Sequence, residues 1–369
     1  MARPKHGGNL QWAASIAGCS PSAILDFSAS INPLGPPQSA VLSIQAQLPW
    51  IRDYPDPTYG QVRSRLAQIH AVPPEWILPG NGSAELLTWA GWDLAKLEAT
   101  YLVTPAFSDY FRALNAFDAT VMKCPLNEAG LGVQLAGLDF KAGSVFDHEG
   151  QGLSSLDPKF SRCGLLLNNP HNPTGQLLSR AAILPLLKRF ELVVIDEAFM
   201  DFLPHEQDSL IGDVQQYPNL VILRSLTKFY SVPGLRFGYA IAHPTRLNEW
   251  QTRRDPWSVN TFAAAAAEAC IQDKAFQTQT FGWLEAARPE LFDGLSQFPD
   301  LSPLPSVANY FLVKVNGSAS NLQHKLLKRH KILIRDCLSF PELGDRYFRV
   351  AVRLRAENQR LIQGLADIL

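Results

Sequence analysis

Lys228 is an amine in an unusual place. It stands in SLTKFYSVPGLRFGY, directly after the apolar run NLVILRSL, where a solvated charge is not expected. Ser225 precedes it by one helical turn and Arg236 follows within the same segment. An amine, a hydroxyl and a guanidinium around one point suit a phosphorylated aldehyde: the amine condenses with the carbonyl, and the other two take the phosphate. Asp196 ends a second apolar run, in VVIDEAF. A carboxylate there serves either as a helix cap or as counter-ion to a pyridine nitrogen, keeping the ring protonated so that it accepts electrons from a bond broken at Cα. GNGSAE at 80–85 opens a helical stretch, so the amides of Gly82, Ser83 and Ala84 face an anion if one is bound. NNPHNPTG at 168–175 is a turn whose Asn172 can donate to a ring oxygen, and TPAF offers Phe107 to stack on a ring face.

These residues need a scaffold that brings them together. CGLLLNNP, ELVVIDEAF and NLVILRSLT are continuous apolar runs, each ending in polar residues, and amphipathic stretches separate them. That pattern predicts a parallel sheet covered on both faces, with ligands at the carboxyl ends of its strands. WILPGNGSAELLTWAGWDL reads as strand, glycine turn and helix; ATYLVTP reads as a strand followed by a helix at 107–116. Residues 60–72 have helical spacing. The first forty residues read as loop-rich, from HGGN to DFSASINPLGPP. Towards the other end, SVNTFAAAAAEACIQ is helical, NYFLVKV, KILIRDC and YFRVAVR read as strands of a smaller sheet, and a helix closes the chain. At 369 residues the chain exceeds one simple core. We expect a large domain over 46–255 and a small α+β domain built from 1–45 and 256–369.

The formal net charge of −1 implies no broad attraction to nucleic acid or membrane. No basic N-terminal module is read, which argues against a DNA-binding regulator. The five cysteines are scattered, odd in number and without a C-x-x-C pair, as expected of reduced thiols in a cytoplasmic protein. MARPKHGGN carries no apolar stretch of signal-peptide type, and no window reaches the ~18 apolar residues of a membrane span. No metal is expected.

Taken in order, GNGSAE, TPAF, NNPHNPTG, VVIDEAF and SLTKFYSVPGLRFGY resemble the fold-type I pyridoxal-5′-phosphate (PLP) family, which includes aspartate and histidinol-phosphate aminotransferases. The resemblance spans nearly the whole chain. It implies an α/β fold with a large, mostly parallel sheet flanked by helices plus a smaller α+β domain. It implies PLP as cofactor, Lys228 as the Schiff-base lysine, Asp196 as partner of the pyridine nitrogen and Asn172 as donor to the ring oxygen. Ser225, Arg236 and the turn Gly82–Ala84 match the phosphate cup, and Phe107 the stacking ring. Tyr54, in RDYPDPTYG, matches a tyrosine that reaches the phosphate of the neighbouring subunit's cofactor, which implies a homodimer with shared active sites.

PLP chemistry follows geometry: the Cα bond held perpendicular to the ring is the one that breaks. Three features lean towards loss of the carboxylate. The chain begins HGGN followed by DFSASINPLG; DEAF places Phe199 where related aminotransferases usually carry a tyrosine; and FYSVPGLRFGY is joined by RRDPWSVN. Together they resemble the L-threonine-O-3-phosphate decarboxylases of cobalamin biosynthesis, which make (R)-1-amino-2-propanol O-2-phosphate. Such a substrate needs two anion grips. By motif, Arg349 in YFRVAVR resembles the residue that binds the α-carboxylate. Arg335 in ILIRDC, with His6 and Asn32, is expected to hold the phosphate, with Gly7 and Asn172 in the same substrate-facing set. Arg353 lies on the strand face of Arg349. The alternative reading is a histidinol-phosphate aminotransferase or a related aminotransferase, which needs a 2-oxo acid.

Overall fold

The computed structural model describes residues 3–4, 6–126 and 160–369, and between them three antiparallel strand segments, Gln134–Leu135, Leu138–Lys141 and Ser144–Asp147. The rest of 127–159, part of the expected large domain, lies outside the described residues, as do Met1, Ala2 and Lys5 of the N-terminal run.

Seven strands form the main sheet: β1 (Ile77–Asn81), β2 (Ala99–Thr104), β3 (Val121–Pro125), β4 (Cys163–Asn168), β5 (Leu192–Asp196), β6 (Leu220–Ser225) and β7 (Phe237–Ala242). Their order is β1-β7-β6-β5-β4-β2-β3. From β6 to β3 every pairing is parallel, whereas β7 runs antiparallel to both β6 and β1. The period of two sorts each strand's side chains onto two faces. Val193, Ile195, Leu220, Ile222 and Ile241 join one core cluster. Leu192, Val194, Val221, Leu223 and Ala240 join another. Both faces are therefore dry, and this is why these runs read as unbroken apolar stretches. On the second face Ser83–Leu94 and Ser108–Asn115 pack closely: a Cβ on Gly91 would lie 2.5 Å from the Ala113 carbonyl oxygen.

Four further strands, β8 (Leu301–Pro303), β9 (Tyr310–Val315), β10 (Arg335–Asp336) and β11 (Tyr347–Ala351), make an antiparallel sheet in the order β8-β9-β11-β10. KILIRDC is not the single strand its sequence suggests. Ile332–Leu333 pairs in parallel with Leu25–Asp26, and only Arg335–Asp336 joins β11. The ribbon changes partner at Ile334, so the N-terminal segment is stitched to the small sheet.

The loop-rich reading of the first forty residues is corrected by a helix over Leu10–Ala17. Asn9 caps it, accepting from the Trp12 amide at 2.9 Å, and Gly18 ends it at φ 66°. Eight residues are too few for helical periodicity to register, but this cap pair was a legible signal. A second helix, Gln38–Gln47, packs on Thr261–Gln272. Among the described residues no helix is long and apolar enough to cross a membrane.

Candidate active site

The parallel strands β2, β4, β5 and β6 end on one side of the sheet, and a cavity of about 380 Å³ opens there. That is within the range of small-molecule sites. Because β7 is antiparallel, its first residues arrive at the same side, and Arg236 precedes it there.

Lys228 sits on the single helical turn Leu226–Phe229 that follows β6, and its Nζ donates to Ser225 Oγ at 3.1 Å. Ser225 Oγ also shares a hydrogen bond with Thr227 Oγ1 at 2.8 Å. Burial pushes the Lys228 amine below its ordinary pKa; Asp196 pulls it back up, and Arg236 and Arg349 push it down again. A larger unprotonated fraction makes a better nucleophile.

Asp196 closes β5. Its Oδ1 accepts from the Ala198 amide at 3.0 Å, and its Oδ2 from the Tyr110 hydroxyl at 2.8 Å. Burial raises its pKa, while Lys228 and the Tyr110 hydrogen bond lower it. The flanking residues Glu197 and Arg224 form a fully buried ion pair at 2.9 Å, which ties the ends of β5 and β6 together. Tyr110 escaped the sequence reading. It follows Phe107 by one helical turn, so both rings look into the cavity, and that spacing was the available signal. We expect Tyr110→Phe to raise the Asp196 pKa further. The acid limb of the activity–pH profile should then move to higher pH; an unmoved limb would show that the hydroxyl does not tune Asp196.

The anion cup is built by close approach. Gly82 has φ 75°, and a Cβ there would lie 2.4 Å from Arg236 Nη2. A Cβ on Gly238, in β7, would lie 2.4 Å from the Ser83 amide nitrogen. Glycine at both places lets the guanidinium and the first amides of Ser83–Leu94 converge, where the helix dipole also favours negative charge. Ser83, Ala84, Ser225 and Arg236 all line the cavity. Phe107 lines it too, its ring 5.5 Å from that of His6 and 5.9 Å from that of Tyr110. Cationic cup, buried carboxylate, aromatic face and lysine amine together fit PLP: phosphate, pyridine nitrogen, ring and aldehyde each meet a matching group.

The far wall comes from the small sheet. Arg335 on β10 and Arg349 on β11 are directly opposite in register, so their side chains share one face, and both are buried. Arg349 Nη1 donates to Asn172 Oδ1 at 2.6 Å and Nη2 to the Ser28 carbonyl at 3.3 Å, with its guanidinium 4.9 Å from the Tyr310 ring. Burial, then Arg349, lowers the Arg335 pKa to about 10. Two like charges directly opposed are unfavourable unless an anion lies between them.

His6 lines the same cavity, beside Gly7. A Cβ on Gly7 would lie 2.2 Å from the Ser28 carbonyl oxygen, and the Gly8 amide donates to Ser28 Oγ at 2.8 Å. Asn9 of HGGN is a helix cap. Asn32 is not among the residues that line the cavity: its Nδ2 donates to the Phe229 carbonyl and Thr280 Oγ1, both at 2.8 Å, while its Oδ1 accepts from the Leu34 amide. Arg353 is engaged by Glu357 at 3.0 Å and by the Asp26 carbonyl. Tyr54 stands away from the cavity, 78% exposed, its ring stacked on Trp257 at 4.4 Å. Phe199 is in the wall, its ring centre 5.8 Å from Lys228 Nζ.

Comparison with known proteins bears on this geometry. The family described as aminotransferase class I and II matches residues 22–365. A threonine-phosphate decarboxylase of Salmonella typhimurium is 38% identical over 369 residues, covering 99% of this chain and 96% of its own. A histidinol-phosphate aminotransferase of Symbiobacterium thermophilum is 32% identical over 344 residues, 92% of this chain and 88% of its own. The crystal structure of L-threonine-O-3-phosphate decarboxylase from Porphyromonas gingivalis has a TM-score of 0.77 at 26% identity, covering 92% of this chain and 98% of that one.

Proposed function

The chain belongs to the aminotransferase class I and II family, and from that premise we propose that it is a PLP-dependent carboxy-lyase acting on L-threonine O-3-phosphate in cobalamin biosynthesis. The reaction breaks the Cα–carboxylate bond, releases CO2 and places a proton on Cα, giving (R)-1-amino-2-propanol O-2-phosphate. The observation that carries the reading is the in-register pair Arg335 and Arg349 in the cavity that holds Lys228: it fits a substrate with two separate anionic groups.

When bound, PLP supplies an electron sink for the bond broken at Cα. Ser225, Arg236 and the amides at Ser83 and Ala84 would hold its phosphate, Asp196 would hold a proton at the pyridine nitrogen, Phe107 would lie against the ring and Asn172 would donate to the ring oxygen. Lys228 accepts the proton of the incoming amine and later delivers one to Cα. Arg349 grips the substrate carboxylate, and Arg335 with His6 grips its phosphate; bidentate guanidinium geometry suits both. The two grips fix the rotation about Cα that selects the breaking bond. Phe199 itself brings no phenol to the ring oxygen. Phe199→Tyr should therefore shift the visible absorbance of the PLP-loaded protein or its titration; an unchanged spectrum would remove Phe199 from the account.

We further propose a homodimer in the cytoplasm, divided into domains at 45/46 and 255/256. Leu48, Trp50, Ile51 and Tyr54 are exposed on one continuous segment, a patch that suits burial against a second copy, with Tyr54 reaching the other copy's coenzyme phosphate. The test of function is incubation of the PLP-loaded protein with L-threonine O-3-phosphate and no 2-oxo acid. CO2 with an equal amount of amine phosphate is expected. Amino transfer from histidinol phosphate to 2-oxoglutarate, without CO2 release, would replace this reading by the aminotransferase.

A further inference from the structure

We propose that Arg3 is a positioning residue, anchoring the N-terminal run beside His6 in the cavity wall and so tuning the site for a phosphorylated substrate. The identity of that substrate rests on the decarboxylase reading; the latch rests on geometry.

Arg3 is held at two points. Its Nε lies 2.7 Å from Asp336 Oδ2, and its Nη2 donates to Gln323 Oε1 at 3.0 Å. Both receivers are fixed beforehand. Gln323 is buried and donates from Nε2 to the Ile334 carbonyl at 2.7 Å. Asp336 is buried on β10, next to Arg335. An isolated surface ion pair is worth little, but here a planar guanidinium spans two preset acceptors, which lowers the ordering cost per bond. Beyond His6 comes the second clamp, where Gly7 presses on the Ser28 carbonyl and the Gly8 amide bonds Ser28 Oγ. His6 is thus pinned from both sides, its ring against Phe107. A narrow space of about 20 Å³ lies among Arg3, His6, Arg335 and Asp336, so the latch and the proposed phosphate grip adjoin.

Asp336 pairs in register with Phe348 and Arg335 with Arg349, so their side chains project to opposite sides of β10. The latch therefore acts on His6 from the side of β10 that carries Asp336. Without Arg3, His6 loses one of its two anchors, and a ligand that lacks a phosphate does not depend on that anchor.

The experiment compares PLP-loaded wild type, Arg3→Ala, Arg3→Lys and Asp336→Asn. It measures kcat and KM for L-threonine O-3-phosphate, the Kd for inorganic phosphate by calorimetry, and the Kd for L-threonine from the coenzyme's absorbance. Arg3→Ala should raise the KM and the inorganic-phosphate Kd by on the order of fivefold, with kcat, absorbance and L-threonine binding unchanged. Arg3→Lys should recover part of the loss. Asp336→Asn, which removes the ion pair and leaves Arg3 its neutral receiver Gln323, should reproduce part of the Arg3→Ala loss. Unchanged phosphate affinity in Arg3→Ala, or an equal loss for L-threonine, overturns the latch. If wild type releases no CO2 while Arg3→Ala still weakens inorganic phosphate, the decarboxylase reading falls and the latch stands.

Discussion

Lys228→Ala should lower CO2 release by more than about 10³-fold, the upper part of the range for a positioned proton-transfer group. Two roles disappear together. In the proposed mechanism the side chain is the amine that joins the coenzyme's carbonyl and the base and acid beside Cα. Its environment suits both: burial depresses its pKa, Asp196 opposes that, and Arg236 and Arg349 add to it. Two controls separate chemistry from packing. Lys228→Arg keeps a cation in the hole but no usable nucleophile, so it should be as inactive as alanine. A small primary amine added to Lys228→Ala should restore a measurable part of the rate. Retention of full activity in either variant would sink the assignment of Lys228.

The second large effect has opposite signs for stability and function. Arg335→Leu should raise the melting temperature of the substrate-free, PLP-loaded protein by roughly 1–2 °C, because it removes one of two opposed cations at the β10–β11 pair. The new side chain also packs towards Phe340, whose ring lies 5.4 Å from the Arg335 guanidinium. The same change should raise the KM for the phosphorylated substrate at least ~30-fold, since removing one partner of a buried charge contact costs about 2–5 kcal/mol. Added inorganic phosphate should stabilise wild type and leave the variant almost unchanged, by mass action on the native state. A variant that melts lower and still responds to phosphate would mean that the pair is relieved within the protein, and that the anion sits elsewhere. Such an exchange of stability for binding is common at sites that gather like charges.

How much of this was legible beforehand differs by residue. Asp196 ends its strand, and Lys228 and Asn172 follow theirs within four residues; strand ends announce themselves, because an unbroken apolar run stops and polar residues begin. The sheet was legible for the same reason, since two dry faces force continuous hydrophobicity. Tyr110 was hidden because its partner Asp196 lies 86 positions away, and no local pattern records that hydrogen bond. An amide in a polar, turn-rich segment looks like a ligand, and only the fold reveals that the Asn32 amide donates to the Phe229 carbonyl and Thr280 Oγ1. The opposition of Arg335 and Arg349 needs the register of two strands, which spacing along one chain does not contain. The split at Ile334 was missed because five apolar-to-polar residues look the same whether one sheet or two receives them.

That split also orders events on the ribosome. Leu25–Asp26 finds its strand partner only at Ile332–Leu333, after roughly 300 further residues, on the order of 15–60 s of synthesis at about 5–20 residues per second. Every strand of the main sheet is made by Ala242. The proposed coenzyme half of the site, with Asp196, Lys228 and Arg236, therefore emerges well before the proposed substrate half with Arg335 and Arg349. A nascent chain has its cofactor cup in hand while its substrate grips are still unmade, and the N-terminus waits, unpaired, for the last hundred residues to arrive.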